Sequence, residues 1–160
     1  TDKVPLLPKK NLQKIKIGFI GVLKKSQGID MIFNSADLLL RNFPNIQFDL
    51  IGYGPELEYF KKRALQTKLK VIFHGLVKEV VFEKIFLNCT IGIAPYVPDE
   101  SNVSKYGDPG KIKRYISFGL PTITTNVFEF AKELQNEGAG IIVDYYKKEE
   151  SVEAIRKSIW

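Results

Sequence analysis

The sequence is short of the residues that staple or metallate small proteins. Its 160 residues include one cysteine, one histidine, one methionine and one tryptophan. A lone cysteine, Cys89, cannot close an internal disulfide, which makes a reducing compartment the default. A lone histidine, His74, leaves no Cys/His metal cluster and no Ser-His-Asp set. No apolar run reaches the roughly 18 residues of a membrane span. No basic start followed by an apolar stretch reads as a signal peptide.

What is present is the composition of one ordinary globular domain. Hydrophobic residues make up 44% and charged residues 26%, enough to bury a sizeable core. That excludes a disordered tail, a collagen-like chain and a small stapled scaffold. Lys+Arg 24 against Asp+Glu 18 leaves a net charge of +6. Such a surface suits phosphorylated small molecules, nucleic acid or an anionic membrane face, and equally it suits simple solubility. Lysines occur in every segment, often beside acids, so no nucleic-acid partner is expected.

Residues 1–14 carry Pro5, Pro8 and several lysines without periodicity and read as a linker, leaving 15–160 as a single domain. Within it, short apolar runs at 15–23, 46–52, 70–75, 89–96, 120–125 and 139–145 read as buried strands. Helical spacing fills the gaps, over 28–42, 52–67, 78–88, 111–119, 128–138 and 148–160. Strand and helix alternate throughout. The expected fold is therefore α/β: a Rossmann-like, doubly wound parallel sheet of about six strands with helices on both faces. In the common order 3-2-1-4-5-6 the topology reverses between the first and fourth strands, and a ligand belongs in the crevice at their carboxyl ends. Two segments reach that crevice, 22–28 and 95–111, and the second is the longest loop of the chain.

In the first segment Lys24 and Lys25 lie between Gly21 and Gly28, where a lysine could neutralise a diphosphate or simply be solvated. In the second, Pro109 and Gly110 precede a helix whose first residues include Lys111. A cation at a helix start opposes the helix dipole unless an anion is nearby, so Lys111 marks an anion site. Other features read as structural. Gly52-Tyr53-Gly54-Pro55 is a tight turn, Cys89 is inert core, and His74 is a wall or framework residue rather than a general base.

Five segments then occur in a telling order: IGFIGVLKKSQGIDMIF, DLIGYGPELEYF, VIFHGLV, IGIAPY and YGDPGKIKRYISFGLPTI. Together they resemble the C-terminal, donor-nucleotide-binding domain of GT-B glycosyltransferases, specifically the retaining enzymes of glycosyltransferase family 4 (group 1), over roughly residues 15–157. The resemblance implies a complete enzyme of two Rossmann-like domains, the N-terminal acceptor domain being missing from this chain. The chain opens on Thr1-Asp2 rather than Met, which fits the expectation of a piece of something longer. A UDP- or GDP-sugar is the implied substrate, with no cofactor and no metal. The implied activity is transfer of a hexose, with retention, to a glycan or lipid acceptor in polysaccharide biosynthesis. The isolated domain is expected to be inactive. A cytoplasmic location, with the inner face of the membrane as an alternative, is expected.

By the same resemblance Gly21, Val22 and the loop to Gly28 lie against the diphosphate, and Gly75, Leu76 and Val77 lie near the base. Asp108, Pro109, Gly110 and Lys111 approach the sugar and phosphates. Lys111 and Lys24 or Lys25 counter the developing phosphate charge, with Arg114 as a secondary catalytic candidate. The sequence also departs from the family pattern. Val22 and Gln27 stand where an arginine and a lysine are usual. Tyr106 and Arg114 stand where a pair of glutamates is usual, and arginine has no acceptor for a ribose hydroxyl. These departures keep a second reading open, a non-catalytic, degenerate Rossmann-like interaction module.

Overall fold

A computed structural model describes residues 14–99, 110–127 and 130–159. Tyr106, Asp108 and Pro109 therefore lie outside the described residues, as do most of the long loop and the segment 1–13 read as a linker.

Six parallel strands form one sheet: β1 (Lys16–Ile20), β2 (Gln47–Ile51), β3 (Lys70–Gly75), β4 (Ile91–Ala94), β5 (Thr122–Thr125) and β6 (Gly140–Val143). Their order is β3-β2-β1-β4-β5-β6, with Ile17 paired to Phe48 on one side and to Ile91 on the other. The reversal between β1 and β4 is thus where the alternating pattern puts it, and the Rossmann-like fold is as expected.

Among the described residues seven α-helices cover the two faces. On one side α1 (Asp30–Asn34), α2 (Ala36–Asn42), α3 (Leu57–Gln66) and α7 (Lys148–Ile159) pack on Ile17, Phe19, Phe48, Leu50, Ile91 and Ile93. On the other, α4 (Glu79–Leu87), α5 (Gly110–Ser117) and α6 (Phe130–Asn136) bring Phe82, Phe86, Ile112, Tyr115 and Leu134 against Ile51, Ala94 and Tyr96. Both faces of the central strands are buried, which is why those strands read as near-continuous apolar runs.

The strands are shorter than the apolar runs that mark them. β1 ends at Ile20: Gly21 donates the last rung to the Ile51 carbonyl at 3.0 Å, and beyond it Leu23 donates to the Tyr53 carbonyl at 3.2 Å. The helix expected over 28–42 is divided at Ser35, whose N–H is shared between the Met31 and Ile32 carbonyls. Cys89 is buried core, its thiol donating to the Ile85 carbonyl at 3.4 Å.

Tyr115 fixes α5 to the centre of the sheet. Its hydroxyl donates to the Ile93 carbonyl at 2.9 Å and accepts the Ile20 N–H at 3.0 Å, bridging β4 and β1 just before both strands end. The ring reaches so deep because Gly92 has no side chain beneath it.

Candidate functional site

The carboxyl ends of β1 and β4 are joined by a tight corner. After β1 the chain makes a short 3-10 turn over Lys25–Gln27 and leaves it through Gly28 in the left-handed region, φ 79°. A side chain on Gly28 would run into the Pro95 carbonyl, and Val97 donates to the Ser26 carbonyl at 3.2 Å. The turn after β1 is therefore clamped to the segment after β4.

Into this corner α5 sends Lys111. Its amine donates to the Gln27 side-chain carbonyl and lies 4.3 Å from the centre of the Phe19 ring and 4.9 Å from that of Tyr96. It also fills the space a Cβ on Gly21 would take, since such an atom would be 2.6 Å from Nζ. Burial pushes the Lys111 amine down to about 7. The ring faces and the Gln27 carbonyl act in the opposite sense, because both favour an ammonium over an amine. The Tyr96 hydroxyl is pushed up to about 12 by its own burial and is uncharged here.

Beside Gly21, on the α4–α5 side, opens a hollow of about 260 Å³. Its floor is Ile20, Gly21, Ile51 and Gly52 at the ends of β1 and β2, and its walls include Val22, Leu76, Val77 and Phe82. Leu76 is 83% exposed and Val22 49%, an unusual display of aliphatic surface at a strand end. On the rim the Arg114 guanidinium lies 3.8 Å over the Phe82 ring and pairs with the Glu79 carboxylate. Gly75 closes β3 and accepts the Gly52 N–H at 2.9 Å, setting the loop that carries Leu76 and Val77.

The structure thus gathers Gly21, Val22, Leu76, Val77 and Arg114 around one hollow, with Gly75 supporting it and Lys111 and Gly110 at the adjoining corner. It does not bring Lys25 to Lys111. Lys25 lies 4.4 Å over the Tyr59 ring and 3.9 Å from Glu56, on the α1–α3 face, where Tyr59 and Arg63 also bond Asp30. Lys24 is exposed at the head of the 3-10 turn. Of the expected set, Lys111 with Lys24 or Lys25, the structure turns Lys25 towards α3, which offers it a carboxylate and a ring within reach. His74 is a framework residue, bonded at 2.8 Å to the buried Asp49, which also accepts from Gln47. Among the described residues no cluster of His, Cys, Asp or Glu could hold a metal ion.

Residues 14–159 match the sequence family described as glycosyl transferases group 1. The chain belongs to the group 1 glycosyltransferases. No curated protein matches it in sequence. Its fold is shared with solved glycosyltransferase structures at low identity. A Staphylococcus aureus TarM mutant, in complex with fondaparinux, alpha-GlcNAc-glycerol and UDP, superposes with a TM-score of 0.74 at 13% identity, over 95% of this chain and 30% of TarM. Anabaena HepE, in complex with UDP and glucose, gives 0.69 at 17% identity, over 92% of this chain and 39% of HepE. The C-terminal domain of the Francisella tularensis group 1 protein LpcC gives 0.69 at 14% identity, over 91% of this chain and 75% of that domain. The chain therefore spans well under half the length of TarM and HepE.

Two residues of this glycosyltransferase domain escaped the sequence reading. In the sequence Gln27 stands only as a residue where a lysine is usual, yet it is the acceptor for Lys111. Glu79, which the sequence does not single out, places a carboxylate on the rim beside Arg114. Its position at the first turn of α4 was the one available signal, since a helix start favours an acid for its own sake. No helix of the described residues is long and apolar enough to cross a membrane.

Proposed function

We propose that this chain is the donor-binding half of a GT-B enzyme that transfers a hexose from a nucleotide-sugar, with retention of configuration, to a glycan or lipid acceptor. The observation that carries this reading is the Lys111 amine held at Gly21, one helical turn from Arg114 and next to a hollow with aliphatic walls. The nucleoside takes the hollow, against Val22, Leu76 and Val77. The diphosphate takes the corner at Gly21, where Lys111 and the start of α5 offset its charge. Glu79, reached by Arg114, offers the ribose hydroxyls an acceptor that arginine lacks.

Catalysis on this reading is positioning plus stabilisation of the departing nucleoside diphosphate. Lys111 strengthens its hold as charge accumulates on the leaving phosphate. Acceptor groups come from a second domain, so the 160-residue chain binds donor and transfers nothing alone. UDP is the first nucleotide to test, because TarM and HepE are both solved with it.

The test is a thermal-shift series with UDP, GDP and their sugars at millimolar concentration, on the native chain and on Lys111→Ala. Stabilisation by one nucleotide that disappears in Lys111→Ala is expected. The absence of stabilisation by every nucleotide would reject the reading in favour of a non-catalytic module.

A further inference from the structure

The corner at Gly21 contains a device that the donor-binding reading, on which it rests, does not itself require. Lys111 has a long flexible stem, and an amine on such a stem samples many positions unless something selects one. Among the described residues the side-chain acceptor that selects one is Gln27.

Gln27 is itself firmly placed. It ends the 3-10 turn, with its N–H on the Lys24 carbonyl at 3.0 Å, and the next residue is locked by Pro95. Its acceptor is neutral, and that matters chemically. A carboxylate at the same point would orient the amine equally well but cancel the charge an anionic ligand needs. A lysine would repel it. An amide carbonyl orients the ammonium and leaves its charge intact.

Among the described residues, two charged side chains of the surrounding elements are turned elsewhere. Lys25 of the same turn faces Glu56 and Tyr59, Arg114 of α5 faces Glu79, and the Tyr96 hydroxyl after β4 is uncharged; β1 contributes the Phe19 ring.

We propose that Gln27 is the positioning residue for Lys111: its carbonyl holds the amine at Gly21 without neutralising it, reserving the charge for a ligand phosphate. The lysine-to-glutamine departure is then not a lost contact. It replaces a second cation with the group that aims the first.

The test titrates the Lys111 side chain by NMR in the 160-residue chain, using carbon-labelled lysine and Lys111→Ala to assign the signal. Gln27→Glu and Gln27→Met are compared with the native protein, and UDP affinity is measured on all three by calorimetry at pH 6.5. Gln27→Glu is expected to raise the titration midpoint by about one pH unit or more, since an opposite charge then stands against the amine. Gln27→Met is expected to lower it, because burial remains and the acceptor is gone. Both variants should weaken UDP binding, on the order of tenfold, as expected for loss of a charge-assisted contact. Midpoints equal to the native value in both variants overturn the proposal, whatever their thermal stability. Midpoints that move while UDP fails to bind the native chain sustain the role of Gln27 and reject the donor reading instead.

Discussion

Arg114 and Glu79, 35 positions apart in sequence, meet across the mouth of the hollow, with the Phe82 ring beneath the guanidinium. An acid expected on α5 is absent there, and an acid on α4 stands at the same rim. A carboxylate is favoured at the start of α4 by the helix dipole.

Both members of that pair are substantially exposed, 38% for Arg114 and 63% for Glu79. Exposed pairs contribute roughly 0–1 kcal/mol to stability. Glu79→Gln should therefore leave the melting temperature almost unchanged. Affinity for UDP should fall about tenfold, the usual loss when a charged acceptor is removed from a ligand hydroxyl. Calorimetric titration checks both halves, and unaltered affinity would remove this rim from the binding site.

Lys111 makes the stability of the domain depend on pH in a defined direction. Its folded value is lowered from 10.5 to about 7, so between those limits the unfolded chain holds the proton more often than the folded one. Stability contributed through this group therefore rises with pH from about 7 to 10.5, and the destabilisation is fully present below 7. Lys111→Met should melt higher than the native protein at pH 6.5, with the advantage shrinking towards pH 10. Melting curves across that range, read as the difference between the two proteins, decide it. A constant difference would mean that the amine is solvated.

Tyr115→Phe removes one hydroxyl and strands two backbone groups, the Ile20 N–H and the Ile93 carbonyl. Each buried group left unpaired costs about 1–3 kcal/mol. A loss of about 2 kcal/mol or more in urea unfolding is expected, with the m-value unchanged. Donor binding should weaken too, because the same bridge sets the ends of β1 and β4.

Gly28→Ala combines a left-handed φ of 79° with a clash against the Pro95 carbonyl. Backbone atoms on both sides must move, and a cost of about 3 kcal/mol is expected. For a chain of this size that lowers the melting temperature by roughly 6–12 °C. Gly138→Ala is the control. It shares a positive φ, 73°, but has nothing within reach of the added methyl, so it should cost less.

How much of the site could be read along the chain depended on whether a residue acts locally or across the fold. Lys111 stood out because a cation at a helix start contradicts the local field, and a contradiction is visible without coordinates. Leu76, Val77, Val22 and Gly21 were named by the resemblance to the family. The surroundings of Lys25 were not legible because its partners, the Tyr59 ring and Glu56, are 31 positions or more away along the chain. Gln27 and Glu79 gave only local signals along the chain, because each bonds one partner on a distant helix.

The strand–helix alternation, the burial of the central strands on both faces and the crevice at the topological reversal were dictated by the sequence alone. Periodicity and turn residues are properties of neighbours along the chain, and a parallel sheet has few ways to connect them. Only the tertiary structure decided which charges converge. Long side chains choose among partners several ångströms apart, and that choice is made by packing distances that no linear pattern encodes.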